Sequence, residues 1–213
     1  MAPYDASVAA TRVPYFFARP AADPPWPGLV VCLEGYGMDQ WLLRVCERLA
    51  REGFAAIAPD MYHRFGGSDR DAGPDHIMKL KDPDALSDIS ECIDELKRAG
   101  AAKIGITGFC MGGRLTYIAA TQGAAVDAAA PFYGARIGKS LGTPSCPIHL
   151  FYGGTDEYIP SDEMAAVEGH HPGQVTIYPK AGHGFMHEGN PEDKSAADDA
   201  WPKLLEFLHA NLG

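Results

Sequence analysis

Gly105-Ile106-Thr107-Gly108-Phe109-Cys110-Met111-Gly112-Gly113 is the stretch on which the reading of this chain turns. Lys103 to Thr107 reads as a short apolar strand and Gly112 to Thr121 as a helix, so the stretch is a strand-to-helix turn. Gly108 and Gly112 stand two residues before and two residues after Cys110. That is the spacing of a nucleophile elbow, with cysteine where serine is usual. The turn is so sharp that side chains at those two positions would meet neighbouring backbone, which is why glycine occupies both. It lifts the sulfur above the sheet and sets it at a helix N-terminus, where N–H groups and the macrodipole favour a thiolate and an oxyanion. A free thiol, with a pKa of about 8.5, is only slightly ionised at neutral pH, so a nucleophilic cysteine needs such help. A buried structural cysteine beside a glycine-rich turn gives the same local pattern, and the partner residues must separate the two. A dinucleotide site is a poorer match, because Gly108 to Gly113 does not fit Gly-x-Gly-x-x-Gly.

Outward from the elbow the chain alternates between strand-like and helix-like pieces. Strands are expected at Leu29 to Leu33, Phe54 to Ala58, Lys103 to Thr107, Ala128 to Tyr133, Ile148 to Tyr152 and Val175 to Tyr178. Helices are expected at Asp39 to Arg51, with Asp39 as N-cap and Gly53 as stop, and at Ala85 to Ala99, Gly112 to Thr121 and Ala196 to Leu212. Apolar strands alternating with helices predict an α/β fold, a mostly parallel sheet with helices on both faces. Ligands of such sheets bind at the carboxyl ends of the strands, so chemistry belongs in the loops that follow them. Asp156, in Gly153-Gly154-Thr155-Asp156, follows one strand, and His183, in Ala181-Gly182-His183-Gly184, follows the next. The order nucleophile, acid, histidine is that of α/β-hydrolases. Alone, such an Asp is a turn residue and such a His a surface residue; in this order after successive strands they read as a triad. His183 then moves protons and Asp156 fixes its tautomer. Glu34 leaves the first buried strand, in the loop that supplies a second oxyanion donor. The donors are assigned to the N–H groups of Gly35 and Met111.

Composition bounds the alternatives. With 213 residues, 46% of them hydrophobic, the chain is expected to build one domain over 1–213. A net charge of −10 argues against a nucleic-acid partner. No stretch approaches the roughly 18 apolar residues of a membrane span, and Met1 to Arg12 carries no signal-type apolar run. The five cysteines include no Cys-x-x-Cys, which reads as free thiols in a reducing compartment, by default the cytoplasm. The adjacent His170 and His171 are expected on a polar surface turn before Pro172.

From about Tyr15 onward the chain resembles the dienelactone hydrolase (carboxymethylenebutenolidase) family. The matching pieces are Phe17-Ala18-Arg19-Pro20, the strand ending in Glu34, Ala58-Pro59-Asp60-Met61-Tyr62 with Arg64, the elbow, Phe132-Tyr133-Gly134, Gly153 to Asp156, and Ala181 to Phe185. The resemblance implies a single-domain α/β-hydrolase fold, a Cys110–His183–Asp156 triad, and no cofactor or metal. It implies that Glu34 contacts the resting thiol and Arg64, and that substrate disturbs this pairing so that the glutamate activates the thiol. Better-known members hold a substrate carboxylate with arginines, one of them four residues after the triad histidine, where this chain has His187. Arg64, Tyr133, His187 and Arg136 (or Lys139 beside it) are the substrate-binding candidates. The expected reaction is hydrolysis of a small ester or lactone through a thioester, by a monomer or homodimer.

Three other readings compete. A non-catalytic ligand-binding protein on the same scaffold is opposed by the intact triad. A metal-dependent hydrolase built on His183 and His187 lacks an evident third ligand. A thiol redox protein lacks a resolving cysteine near Cys110.

Overall fold

The computed structural model describes residues 13–68 and 71–213; Met1 to Arg12, read above as free of a signal run, lies outside them. Seven strands form one sheet: β1 (Tyr15–Ala18), β2 (Trp26–Cys32), β3 (Ala55–Pro59), β4 (Ala101–Phe109), β5 (Ala128–Phe132), β6 (Leu150–Gly153) and β7 (Val175–Tyr178). Their order across the sheet is β1-β3-β2-β4-β5-β6-β7. Every neighbouring pair is parallel except β1 with β3. The parallel strands explain the continuous apolar runs: Leu29 to Leu33 and Ala55 to Ala58 are fully buried because both faces are covered.

The helices are α1 (Gln40–Arg51), α2 (Gly73–Lys79), α3 (Asp82–Arg98), α4 (Met111–Thr121), α5 (Ser161–His170) and α6 (Pro191–Leu212). Asp39 caps α1 as expected, its carboxylate accepting from the Leu42 N–H at 2.9 Å. Leu42, Val45, Cys46 and Leu49 form the buried stripe of that helix. Gly53 beyond its end takes a φ of 94°, where glycine is favoured. The closing helix begins at Pro191 rather than Ala196. Asn190 is its cap, accepting from the Asp193 N–H at 2.8 Å, and Pro191 fills the first helical position, where a missing N–H costs nothing. No helix among the described residues is long and apolar enough to cross a membrane.

His171 departs from expectation. It is buried at the end of α5, with its Nε2 2.9 Å from the Tyr117 hydroxyl. That hydroxyl also meets the Gly142 carbonyl at 3.1 Å, so the imidazole is one member of a buried polar cluster under α4 and not a surface turn residue. Its neighbour His170 is exposed.

Topology sets the site. From β2 the chain moves one way across the sheet to β3; from β4 it moves the other way. The order reverses between β2 and β4, and the two strands run side by side with Cys32 opposite Gly108. Glu34 leaves one and Cys110 the other, at the crevice where open α/β sheets bind ligands.

Candidate active site

Cys110 sits between β4 and α4 with φ 55° and ψ −118°, a backbone region that non-glycine residues rarely enter. Its N–H donates to the Phe132 carbonyl at 3.1 Å and its carbonyl accepts from Arg114 at 3.2 Å, so both sides of the turn are tied down. The flanking glycines are required by space. A Cβ on Gly108 would stand 2.4 Å from the Gly112 carbonyl oxygen; one on Gly112 would stand 2.4 Å from the Cys32 oxygen and 2.6 Å from that of Leu33. All of these are backbone atoms of β2, the residue after it and the first turn of α4, so they cannot yield cheaply.

Asp156 and His183 come from two loops stitched together. A Cβ on Gly153 would meet the Gly182 and Ala181 carbonyls at 2.5 and 2.6 Å, and Thr155 reaches the Ala181 carbonyl through its N–H at 3.0 Å and its hydroxyl at 2.8 Å. The start of α6 braces the histidine loop, where Gly182 N–H donates to Asp193 at 2.9 Å. Asp156 is buried with both oxygens engaged. Its Oδ1 accepts from the Tyr158 N–H at 2.8 Å, and its Oδ2 lies 2.7 Å from His183 Nδ1. The imidazole also interacts with Cys110. Burial by itself disfavours the charged ring, but the hydrogen bond to Asp156, the interaction with Cys110 and the negative charge of both outweigh it, and the His183 pKa rises to about 10. The structure therefore brings together the three residues that the sequence placed in order.

The other four cysteines stand in different surroundings. Burial pushes Cys32 up to about 12 and Cys146 up to about 11, and raises Cys46 and Cys92 well above the ordinary thiol value. These four are held as thiols.

Glu34 is buried at the end of β2, and both its oxygens are occupied. Oε1 accepts from the Tyr133 hydroxyl at 3.1 Å; Oε2 lies 2.7 Å from His187 Nε2. Tyr133 is wholly buried with φ 36°, and burial, then the Glu34 carboxylate, drives its pKa well up, so its proton stays on as the donor. The His187 ring stacks on Trp41 at 4.1 Å.

A profile described as "Dienelactone hydrolase family" matches residues 13–212. The chain belongs to the dienelactone hydrolase family. Among its relatives is a provisionally named carboxymethylenebutenolidase of Escherichia coli (strain K12), 31% identical over 222 residues that cover 92% of this chain and 82% of the relative. A crystal structure of a provisionally named dienelactone hydrolase from Klebsiella pneumoniae superposes with a TM-score of 0.80 at 29% identity, covering 92% of each chain. A dienelactone hydrolase-like promiscuous phosphotriesterase from metagenomic libraries has the same fold, with a TM-score of 0.80 at 23% identity over 96% of this chain and 95% of its own. This member is accordingly an α/β hydrolase.

In this member of the family Arg64 does not pair with Glu34. Its guanidinium binds Asp88 on α3 through two bonds, of 2.6 and 2.7 Å, with His63 at 3.6 Å from the same carboxylate. The Asp88 side chain is wholly excluded from solvent and needs a cation, whereas Glu34 already has Tyr133 and His187. Tyr133 and His187, expected to touch substrate, hold Glu34. Arg136 is exposed, in a left-handed turn before Ile137. Two residues near the site were not foreseen. Tyr62 places its hydroxyl 3.1 Å from the Gly35 carbonyl and 3.6 Å from Met111 Sδ, bracing the loop after Glu34. Tyr158 lays its ring edge-on to His183 at 4.9 Å between centroids. Its position two residues after Asp156, the spacing of an Asx turn, was the available signal.

Proposed function

We propose that this enzyme hydrolyses small esters or lactones with Cys110 as nucleophile and His183 and Asp156 as its acid–base pair. The observation that carries the reading is the chain of contacts Cys110–His183–Asp156 at a strained elbow, with His183 holding its proton up to about 10. An imidazolium beside the sulfur favours the thiolate, and the helix N-terminus adds to it. The thiolate attacks the carbonyl carbon and a C–S bond forms. The N–H groups of Met111 and Gly35 take the oxyanion; Met111 begins α4, where helix geometry leaves its N–H without an intrahelical acceptor. The C–O bond to the alcohol then breaks as His183 gives its proton to the leaving oxygen. The neutral imidazole next takes a proton from water. The resulting hydroxide attacks the thioester, the C–S bond breaks, and the acid departs. In molecules whose sulfur is protonated, Glu34 is the second base, released when substrate displaces it from His187.

Ester hydrolysis by Cys110→Ala tests this reading. We expect loss of about three orders of magnitude or more in kcat with p-nitrophenyl acetate. Turnover at the wild-type rate would overturn it.

A further inference from the structure

Among the described residues, Tyr36, Ile77, Met78 and Tyr158 are the large hydrophobic side chains that stand exposed, by 47, 41, 78 and 73%. Three of them border the site. Tyr158 lies against His183, the residue that protonates the departing alcohol. Ile77, on α2, packs on the oxyanion loop so closely that a Cβ on Gly35 would stand 2.5 Å from its Cδ1. Tyr36 follows Gly35 in the same loop. An apolar substrate lying across the site would cover these side chains.

The nearby charges point the same way. Glu34 and Asp156 put two buried carboxylates at the site, and Glu157 stands beside Tyr158. Arg64 is committed to Asp88, Arg114 to Asp82 through two bonds of 2.7 Å, and His187 to Glu34. A carboxylate on the substrate would find Arg64, Arg114 and His187 already committed, in a chain of net charge −10.

We propose that the enzyme selects neutral esters, with an apolar acyl chain against Ile77 and an aromatic alcohol against Tyr158, and discriminates against esters that carry a free carboxylate. This rests on the Cys110 reading above. The assignment of the two sides follows from the reaction: the oxyanion at Gly35 brings the acyl carbon past Ile77, and the proton from His183 brings the alcohol past Tyr158.

The test compares p-nitrophenyl hexanoate with mono-p-nitrophenyl adipate, which has a similar chain but ends in a carboxylate. Rates are measured at low ionic strength and corrected for uncatalysed hydrolysis. Wild-type kcat/KM is expected to be at least about tenfold higher for the hexanoate. Ile77→Lys, with its fold checked by circular dichroism, should narrow that ratio by about tenfold. Tyr158→Ala should cost the p-nitrophenyl ester about fivefold more than the methyl ester of the same acid. Equal or faster wild-type hydrolysis of the adipate would overturn the inference and leave the Cys110 reading standing. Unchanged hydrolysis of both esters by Cys110→Ala would overturn that reading, while the hexanoate-to-adipate ratio would still report the pocket. No turnover of either ester by the wild type would overturn both.

Discussion

The elbow around Cys110 and the pocket around Glu34 adjoin across β2 and β4, yet different forces hold them. The elbow is contiguous in sequence, and backbone sterics fix it: the glycines stand where any Cβ would strike a backbone carbonyl. The Glu34 carboxylate is held by side-chain hydrogen bonds, from Tyr133 at 99 residues' separation and from His187 at 153. Steric necessity restricts a position to one residue type and so leaves a mark in a single sequence. A carboxylate accepts from arginine, histidine or tyrosine alike, and leaves none. Hence the elbow was read correctly, while Glu34 was paired with Arg64 when its partners are Tyr133 and His187.

The steric constraint at the elbow is violated most severely at its second glycine. Gly112→Ala is expected to destabilise the protein by about 3 kcal/mol, because neither the Cys32 nor the Leu33 carbonyl can move without the sheet. Urea unfolding measures this, and a change near zero would show that the elbow is softer than its contacts imply. On the other side, Glu34→Gln keeps the shape and removes the charge. It should leave stability nearly unchanged and lower kcat by about a hundredfold in ester hydrolysis. A kcat equal to wild type would reduce Glu34 to scaffold.

A smaller, sharper effect is in pH dependence. His183 has a folded pKa of about 10, above its ordinary value near 6.5. Its contribution to stability is therefore fully present below about 6.5 and is lost as pH rises through about 10. The same proton serves the leaving alcohol, so kcat/KM should fall above about pH 10. Cys110 supplies part of the raise, so Cys110→Ala should bring the His183 titration down when followed by NMR. A titration unmoved by that substitution would mean that the sulfur and the imidazole do not interact.

The same distinction accounts for what was legible in the fold. Parallel strands buried on both faces appear as apolar runs, and a helix such as α1 shows both its stripe and its Asp39 cap. β1 does not: it is a four-residue antiparallel edge strand, too short to show a period. α2 has seven residues, and α5 buries only Met164 and Val167, so neither carries a stripe that could be recognised. His171 looked like a surface residue because its partner, Tyr117, is 54 residues away. The order Cys110, Asp156, His183 was legible because each of the three follows its own strand. The Tyr158 and Ile77 rim was not, because an exposed apolar residue acquires meaning only from what it stands beside.

Formation of a thioester at Cys110 can be tested by catching that bond. A reaction with p-nitrophenyl butyrate, quenched in acid within the first turnovers, should show by mass spectrometry one added butyryl group, and peptide mapping should place it on Cys110. Turnover with no acylated protein under conditions where acylation outruns hydrolysis, or with the acyl group on any other residue, would contradict it.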